Sequence, residues 1–203
     1  MKIIAIVKNF KFHYNDSKKI FQEKPHFFLK PETSILRKNE PFFYPNFSNE
    51  IHYEVGLILK ICKLGRNISE KFAHRYYNEI GIAIDFTAVD LQKNQKANEM
   101  PLEISKSFDY SFPLGTFLKK SKFDNLNNIN FKLLKNGKIY QKGNSKDMIF
   151  SFDKIISYIS KFITLKIGDL IFTGTPKGKG EIKIGDNLKA YIEEENLLNF
   201  MIK

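Results

Sequence analysis

Tryptophan is absent from the 203 residues, cysteine occurs once and arginine three times. A single cysteine, Cys62, excludes a disulfide framework and a zinc site built on clustered thiolates. The longest aliphatic runs, such as Ile3–Val7 and Leu57–Leu59, fall far short of the roughly 20 residues that a membrane-spanning helix needs. No membrane partner is therefore expected. The chain does not open on a charged segment, an apolar segment and a small-residue cleavage site, so a cytoplasmic protein is the expectation. The scarcity of arginine bears on the net charge of +11. Base readout and bidentate phosphate contacts favour the guanidinium fork, yet nearly all the positive charge is lysine, spread along the chain. Lys, Ile, Asn and Phe, all with AT-rich codons, make up 94 of the 203 residues. Compositional bias on solvated faces accounts for the charge better than a nucleic-acid partner does.

With 42% hydrophobic residues, the chain suits one domain spanning 1–203 around its own core. Lys2–Lys8 reads as an opening strand and Phe27–Lys30 as a short one stopped by Pro31. Ile51–Cys62 reads as a long strand with His52 and Glu54 set into it. A helix capped by Asn67 or Ser69 is expected to run to about Glu79, where Gly81 stops it, followed by a strand over Ile82–Phe86. Asn136-Gly137 between Phe131–Leu134 and Ile139–Gln141 is a hairpin signal. Ser151 is placed to cap a helix through Lys161, with Ile155, Ile156, Ile159 and Phe162 inward. Leu170–Thr173 and Leu188–Glu193 are each preceded by Lys-Ile-Gly-Asp, read as a turn that launches a strand. The expectation is a β-rich α+β fold with two modest helices.

Alternation along the strand places His52, Glu54 and position 56 on one face. A carboxylate in an apolar strand needs a partner, either a metal or a buried salt bridge. The same alternative holds for Asp85 in Ile82-Ala83-Ile84-Asp85-Phe86. Two isolated acids on separate strands fit a hard oxygen-ligand site for Mg²⁺ or a similar ion. The run 174–180, Gly-Thr-Pro-Lys-Gly-Lys-Gly, lacks the spacing of a P-loop and reads as a glycine-rich turn able to approach an anion. His13 with Asp16 three residues on is a candidate oriented base.

Taken in order, these segments resemble the fumarylacetoacetate hydrolase family. The resemblance is carried by Asn9-Phe10-Lys11-Phe12-His13, Phe28-Leu29-Lys30-Pro31-Glu32-Thr33 and His52-Tyr53-Glu54-Val55-Gly56. It continues through Asp85-Phe86-Thr87-Ala88-Val89-Asp90-Leu91-Gln92, Lys106-Ser107-Phe108 and Met148-Ile149-Phe150-Ser151-Phe152. The last stretch is Gly168-Asp169-Leu170-Ile171-Phe172-Thr173-Gly174-Thr175-Pro176. The resemblance implies a mixed β-roll with a few short helices, a homodimer, and a divalent ion, Mg²⁺ or Mn²⁺. It implies cleavage, decarboxylation or keto-enol isomerisation of small 2-oxo acids.

By that resemblance Glu54 and Asp85 are metal ligands, His13 with Asp16 is the catalytic base, and Lys106 stabilises an enolate. Gln92 and Thr175 fall at substrate-contacting positions, and residues 1–50 supply a lid and the opening strands. The family pattern has a Glu-x-Glu pair, and with Glu54 taken as its first member, Gly56 stands where the second is expected. The resemblance then implies a weakened, weakly binding metal site. The alternative it leaves is a non-catalytic member kept as a folded dimer.

Overall fold

The computed structural model describes residues 1–11 and 23–203. In chain order the strands are β1 (Ile3–Val7), β2 (His26–Lys30), β3 (Ile35–Leu36), β4 (Ile51–Tyr53), β5 (Val55–Ile61), β6 (Tyr77–Ile84) and β7 (Thr87–Ala88). They continue with β8 (Phe112–Lys119), β9 (Asn130–Lys135), β10 (Lys138–Asn144), β11 (Leu170–Phe172), β12 (Gly180–Glu181), β13 (Asn187–Ile192) and β14 (Glu195–Met201). The helices are α1 (Glu70–Ala73), α2 (Val89–Ala97), α3 (Glu103–Lys106) and α4 (Phe152–Ile159).

Among the described residues the strands form three sheets, ordered β2-β1-β11-β5-β6-β8-β3, β10-β9-β13-β14 and β12-β4-β7. In the largest, the central strands β1, β5 and β6 are largely buried on both faces. Side chains alternate along a strand, so Ile4, Ile6, Leu57, Leu59, Ile80 and Ile82 enter one apolar cluster, while Ile3, Ala5, Ile58 and Ala83 enter another. That explains why these strands are almost continuously apolar rather than alternating with polar residues. Phe131, Leu133, Leu188, Ala190 and Phe200 of the second sheet close over the larger cluster. The result is the β-rich, curled α+β roll that the resemblance implies.

Local chemistry explains the turns. Asn136 and Gly137 have φ of 52° and 78°, the left-handed pair of a type I′ hairpin turn joining β9 to β10. Both Lys-Ile-Gly-Asp segments close in the same way. The Asp169 and Asp186 carboxylates accept from the amides of Lys166 (2.7 Å) and Lys183 (2.8 Å), with Gly168 and Gly185 at positive φ. Ser151 Oγ accepts from the amide of Lys154 at 3.2 Å and caps α4.

Three expectations are corrected. The helix expected to reach Glu79 ends at Ala73, and Tyr77–Ile84 is strand. β6 pairs with β5 on one side and β8 on the other, and that two-sided pairing overrides a weak local helical pattern. Phe162 lies beyond the end of α4 and is exposed rather than inward. The strand expected over Ile51–Cys62 is broken at Glu54: β4 pairs with β7 and β12, whereas β5 joins the large sheet.

Candidate active site

The break at Glu54 places the chemistry. As β4 leaves its small sheet and β5 enters the large one, the Glu54 carbonyl still accepts from the Asp85 amide at 2.9 Å. Two acidic residues just outside the strand pair β5–β6 are thereby held side by side. On the other wall α3 ends at Lys106. Its Nζ lies 2.5 Å from Asp85 Oδ2 and 3.1 Å from Glu54 Oε2, and donates to Thr87 Oγ1 at 2.7 Å. Thr87 Oγ1 in turn donates to Glu54 Oε2 at 3.4 Å.

A fourth charged group completes this cluster. Lys30, at the end of β2 and fully buried, donates from Nζ to Asp85 Oδ1 at 2.7 Å and to the Lys106 carbonyl. Burial outweighs its attraction to Asp85, with the charge of Lys106 acting in the same direction, and its pKa is pushed down to about 8. Burial pushes the Asp85 carboxyl up, but the ammoniums of Lys106 and Lys30 prevail and hold it below the usual carboxylate range. Burial likewise opposes the Lys106 charge, and Asp85 and Glu54 overcome it, so this ammonium is held more firmly than a solvated one. Two ammoniums and two carboxylates share one small volume, and removing any member leaves a buried charge uncompensated.

Glu54, Asp85, Thr87 and Lys106 open into a cleft of about 540 Å³, with Lys30 buried behind them. Gln92 and Thr175 line it with Glu54, Asp85 and Lys106, so five of the seven sequence-predicted site residues are brought together. His13 and Asp16 lie outside the described residues. Phe28, Leu29 and Phe172 supply apolar wall, while Lys8, Lys96 and Lys179 add positive charge. Thr175 is held by Gln141, whose Nε2 donates to Thr175 Oγ1 and to the Pro176 carbonyl, both at 2.8 Å. Gln141 Oε1 accepts from the Val55 amide at 2.9 Å. This buried glutamine therefore ties the strand after Glu54 to the glycine-rich turn.

Sequence reasoning missed Lys30 and Gln141. The available signal for Lys30 was a lysine closing an apolar strand just before Pro31, which is faint in a chain rich in lysine. Gln141 carries none, because its role depends on three residues remote in sequence.

Position 56 needs correction. A Cβ built on Gly56 comes within 2.1 Å of the Gly174 carbonyl oxygen and 2.7 Å of the Phe172 ring. No side chain fits there, so no second carboxylate is missing from that position. The residue two positions before Glu54 is His52, and it does line the cleft. Its Nε2 lies 3.1 Å from Glu50 Oε1, and its Nδ1 is buried with no hydrogen-bond partner among the described residues.

The donor set suits a hard divalent ion. Glu54 and Asp85 already converge on one cation, the Lys106 ammonium, and Mg²⁺-like ions are commonly held by one or two carboxylates plus substrate and water. Among the described residues, no group of three His, Cys, Asp or Glu side chains is drawn together in an ion-holding arrangement.

Comparison with known proteins adds to this geometry. Residues 2–200 match the family described as fumarylacetoacetate hydrolase C-terminal. A mitochondrial oxaloacetate decarboxylase of Dictyostelium discoideum is 40% identical over 192 residues, covering 94% of this chain and 88% of the relative. A mitochondrial oxaloacetate tautomerase of Mus musculus is 36% identical over 201 residues, covering 99% and 91%. Fumarylpyruvate hydrolase from Pseudomonas aeruginosa, solved in complex with Mn²⁺ and pyruvate, superposes with a TM-score of 0.89 at 27% identity over 100% of this chain and 89% of its own. A 5-carboxymethyl-2-hydroxymuconate delta-isomerase from Mycobacterium smegmatis superposes with a TM-score of 0.88 at 26% identity, covering 99% and 78%.

Proposed function

The chain belongs to the fumarylacetoacetate hydrolase family, and on that premise we propose that it is a divalent-metal-dependent enzyme of small 2-oxo acids, with oxaloacetate the first substrate to test. The observation that carries the proposal is the convergence of Glu54, Asp85, Lys106 and Thr87 at one end of a lysine-lined cleft. A divalent ion held by Glu54 and Asp85 supplies Lewis acidity toward the carboxylate and carbonyl of a 2-oxo acid.

The protein's own groups do the rest. Lys106, kept cationic by its two carboxylate neighbours, places positive charge where an enolate oxygen develops. Gln92 and Thr175 orient the substrate, with Thr175 fixed by Gln141. The lysines of the cleft favour a substrate with a second carboxylate, which suits a four-carbon 2-oxo diacid. Phe28, Leu29 and Phe172 exclude water from one side of the bound acid. We assign His13, oriented by Asp16, the proton transfer at carbon or water.

The decisive experiment titrates Mg²⁺ and Mn²⁺ into the purified chain by calorimetry, with and without oxalate as an enolate mimic. It then follows tautomerisation and decarboxylation of oxaloacetate. Near-stoichiometric, oxalate-enhanced binding that Glu54→Ala abolishes together with turnover is the expected result. Turnover unchanged in Glu54→Ala refutes the mechanism.

One observation favours the second reading, a non-catalytic member. The two carboxylates are already charge-balanced by Lys30 and Lys106. That reading predicts no metal binding at millimolar concentration and no turnover. A homodimer is part of the proposal under either reading. Its support is a second, apolar groove lined by Leu29, Phe47, Ile104 and Phe108 beside the cleft, and light scattering tests it.

A further inference from the structure

We infer that Lys96 is the specificity-determining residue of the cleft: its ammonium receives the far carboxylate of a 2-oxo diacid and fixes Gln92 beside it as a donor. The inference rests on the 2-oxo acid activity proposed above and concerns the end of the substrate remote from the reaction.

Helix α2 sets the spacing. It starts directly after Thr87–Ala88, and Thr87 touches both Glu54 and Lys106, so the helix leads away from the reacting end of the cleft. Its first turn is anchored. Asp90 accepts from Ser48 Oγ at 2.6 Å and from the Asn49 amide at 2.8 Å, and the Val89 amide donates to the Glu50 carbonyl at 2.7 Å. Three α2 side chains line the cleft, those of Val89, Gln92 and Lys96. Steps of three and four residues put them on one face, and the helical rise spreads their Cα atoms over about 10 Å.

The chemistry of that face is graded. Val89 offers only methyl groups, which suit the middle carbons of a short chain. Lys96 Nζ donates to Gln92 Oε1 at 3.0 Å. Helical side chains lean toward the N-terminus, so this contact carries the charge back toward the reacting end. An ammonium has donors and no acceptor. Gln92 therefore turns its oxygen to Lys96, which leaves its NH₂ group to donate to an anion. Lys106 is already engaged by Glu54 and Asp85 and is not the receiver of a second carboxylate. Glu103 also lines the cleft, and its charge makes a cation necessary for a diacid to enter. A substrate that ends in a methyl group gains nothing from Lys96, whereas one that ends in a carboxylate gains a charge-assisted contact.

The test compares oxaloacetate with 2-oxobutyrate, which keeps the four carbons and the 2-oxo carboxylate but ends in a methyl group. With Mn²⁺ supplied, the KM for oxaloacetate and the inhibition constant of 2-oxobutyrate against its turnover are measured for the full chain and its variants. Lys96→Met is expected to raise the oxaloacetate KM by on the order of tenfold, with kcat and the 2-oxobutyrate constant within about twofold of the parent. Lys96→Arg is expected to keep most of the discrimination. Lys93→Met removes the same charge one turn earlier in α2, where the ammonium pairs with Glu50, and is expected to leave the ratio of the two constants unchanged. An unchanged ratio in Lys96→Met, or an equal change in Lys93→Met, overturns the role of Lys96 and leaves the 2-oxo acid activity standing. A change confined to Lys179→Met, which removes another lysine of the cleft, does the same. No turnover of oxaloacetate by the unmodified chain overturns both.

Discussion

Gly56→Ala is the sharpest stability test of this structure. The added carbon meets the Gly174 carbonyl at 2.1 Å and two ring carbons of Phe172 at 2.7 Å. A carbon–oxygen contact normally sits at roughly 3.3 Å or beyond, so about 1 Å of movement is required. The ring is free to turn a little, but the carbonyl is backbone. It belongs to a residue at φ 100°, and the Thr173 carbonyl before it accepts from Asn9 Nδ2 at 2.9 Å. Overpacking a core costs about 1–3 kcal/mol, and an obstacle of backbone belongs at the upper end. A loss of about 3 kcal/mol lowers the melting temperature by about 6–12 °C for a chain of this length. Urea unfolding followed by circular dichroism measures it, since there is no tryptophan to report. The midpoint is expected to fall with the slope unchanged. Gly56→Glu is expected to give insoluble protein rather than a better metal site. A Gly56→Ala protein within about 0.5 kcal/mol of the parent refutes the packing argument, as does a soluble Gly56→Glu that binds metal more tightly.

Other outcomes follow from the same contacts. Gln141→Leu strands the Val55 amide and the Pro176 carbonyl, at about 1–3 kcal/mol for each buried group. It should also slow turnover by releasing Thr175, so denaturation and steady-state kinetics should change together. Lys30→Met leaves Asp85 with one ammonium instead of two, and a loss of about 3–5 kcal/mol is expected by urea titration at pH 7. Burial, with smaller help from Tyr140 and Asp186, pushes the Tyr53 hydroxyl up to about 12. Between pH 10 and 12 the folded chain therefore keeps a proton that the unfolded chain sheds, so stability falls as pH rises through that window. Tyr53→Phe should flatten this dependence in denaturation curves taken across it.

Short-range signals were legible in the sequence, and long-range ones were not. Asn136-Gly137, the paired Lys-Ile-Gly-Asp turns and the Ser151 cap each act within four residues, and each forms as read. Tyr77–Ile84 was partly read as helix because its strand character comes from β5 and β8, remote in the chain. The site divides in the same way. Glu54, Asp85 and Lys106 were legible as ordered motifs. Lys30 and Gln141 act through contacts across 34 to 86 positions. That position 56 has no room for a side chain is likewise set by Gly174 and Phe172, more than a hundred residues away, and cannot be read from the local sequence.

The place of β1 between β2 and β11 has a consequence for how the molecule is made. One edge of Ile3–Val7 pairs with His26–Lys30 soon after synthesis, but the other pairs in parallel with Leu170–Phe172. At about 5–20 residues per second, roughly 160 residues of translation leave that edge unpaired for about 8–32 s. An isoleucine-rich strand edge exposed for so long is a template for intermolecular association. Parallel pairing over such a span is also slow to form. Production of soluble protein should therefore respond to slower translation and to chaperones that hold the nascent strand Ile3–Val7. Soluble yield measured with and without co-expressed chaperones, and at lowered growth temperature, tests this.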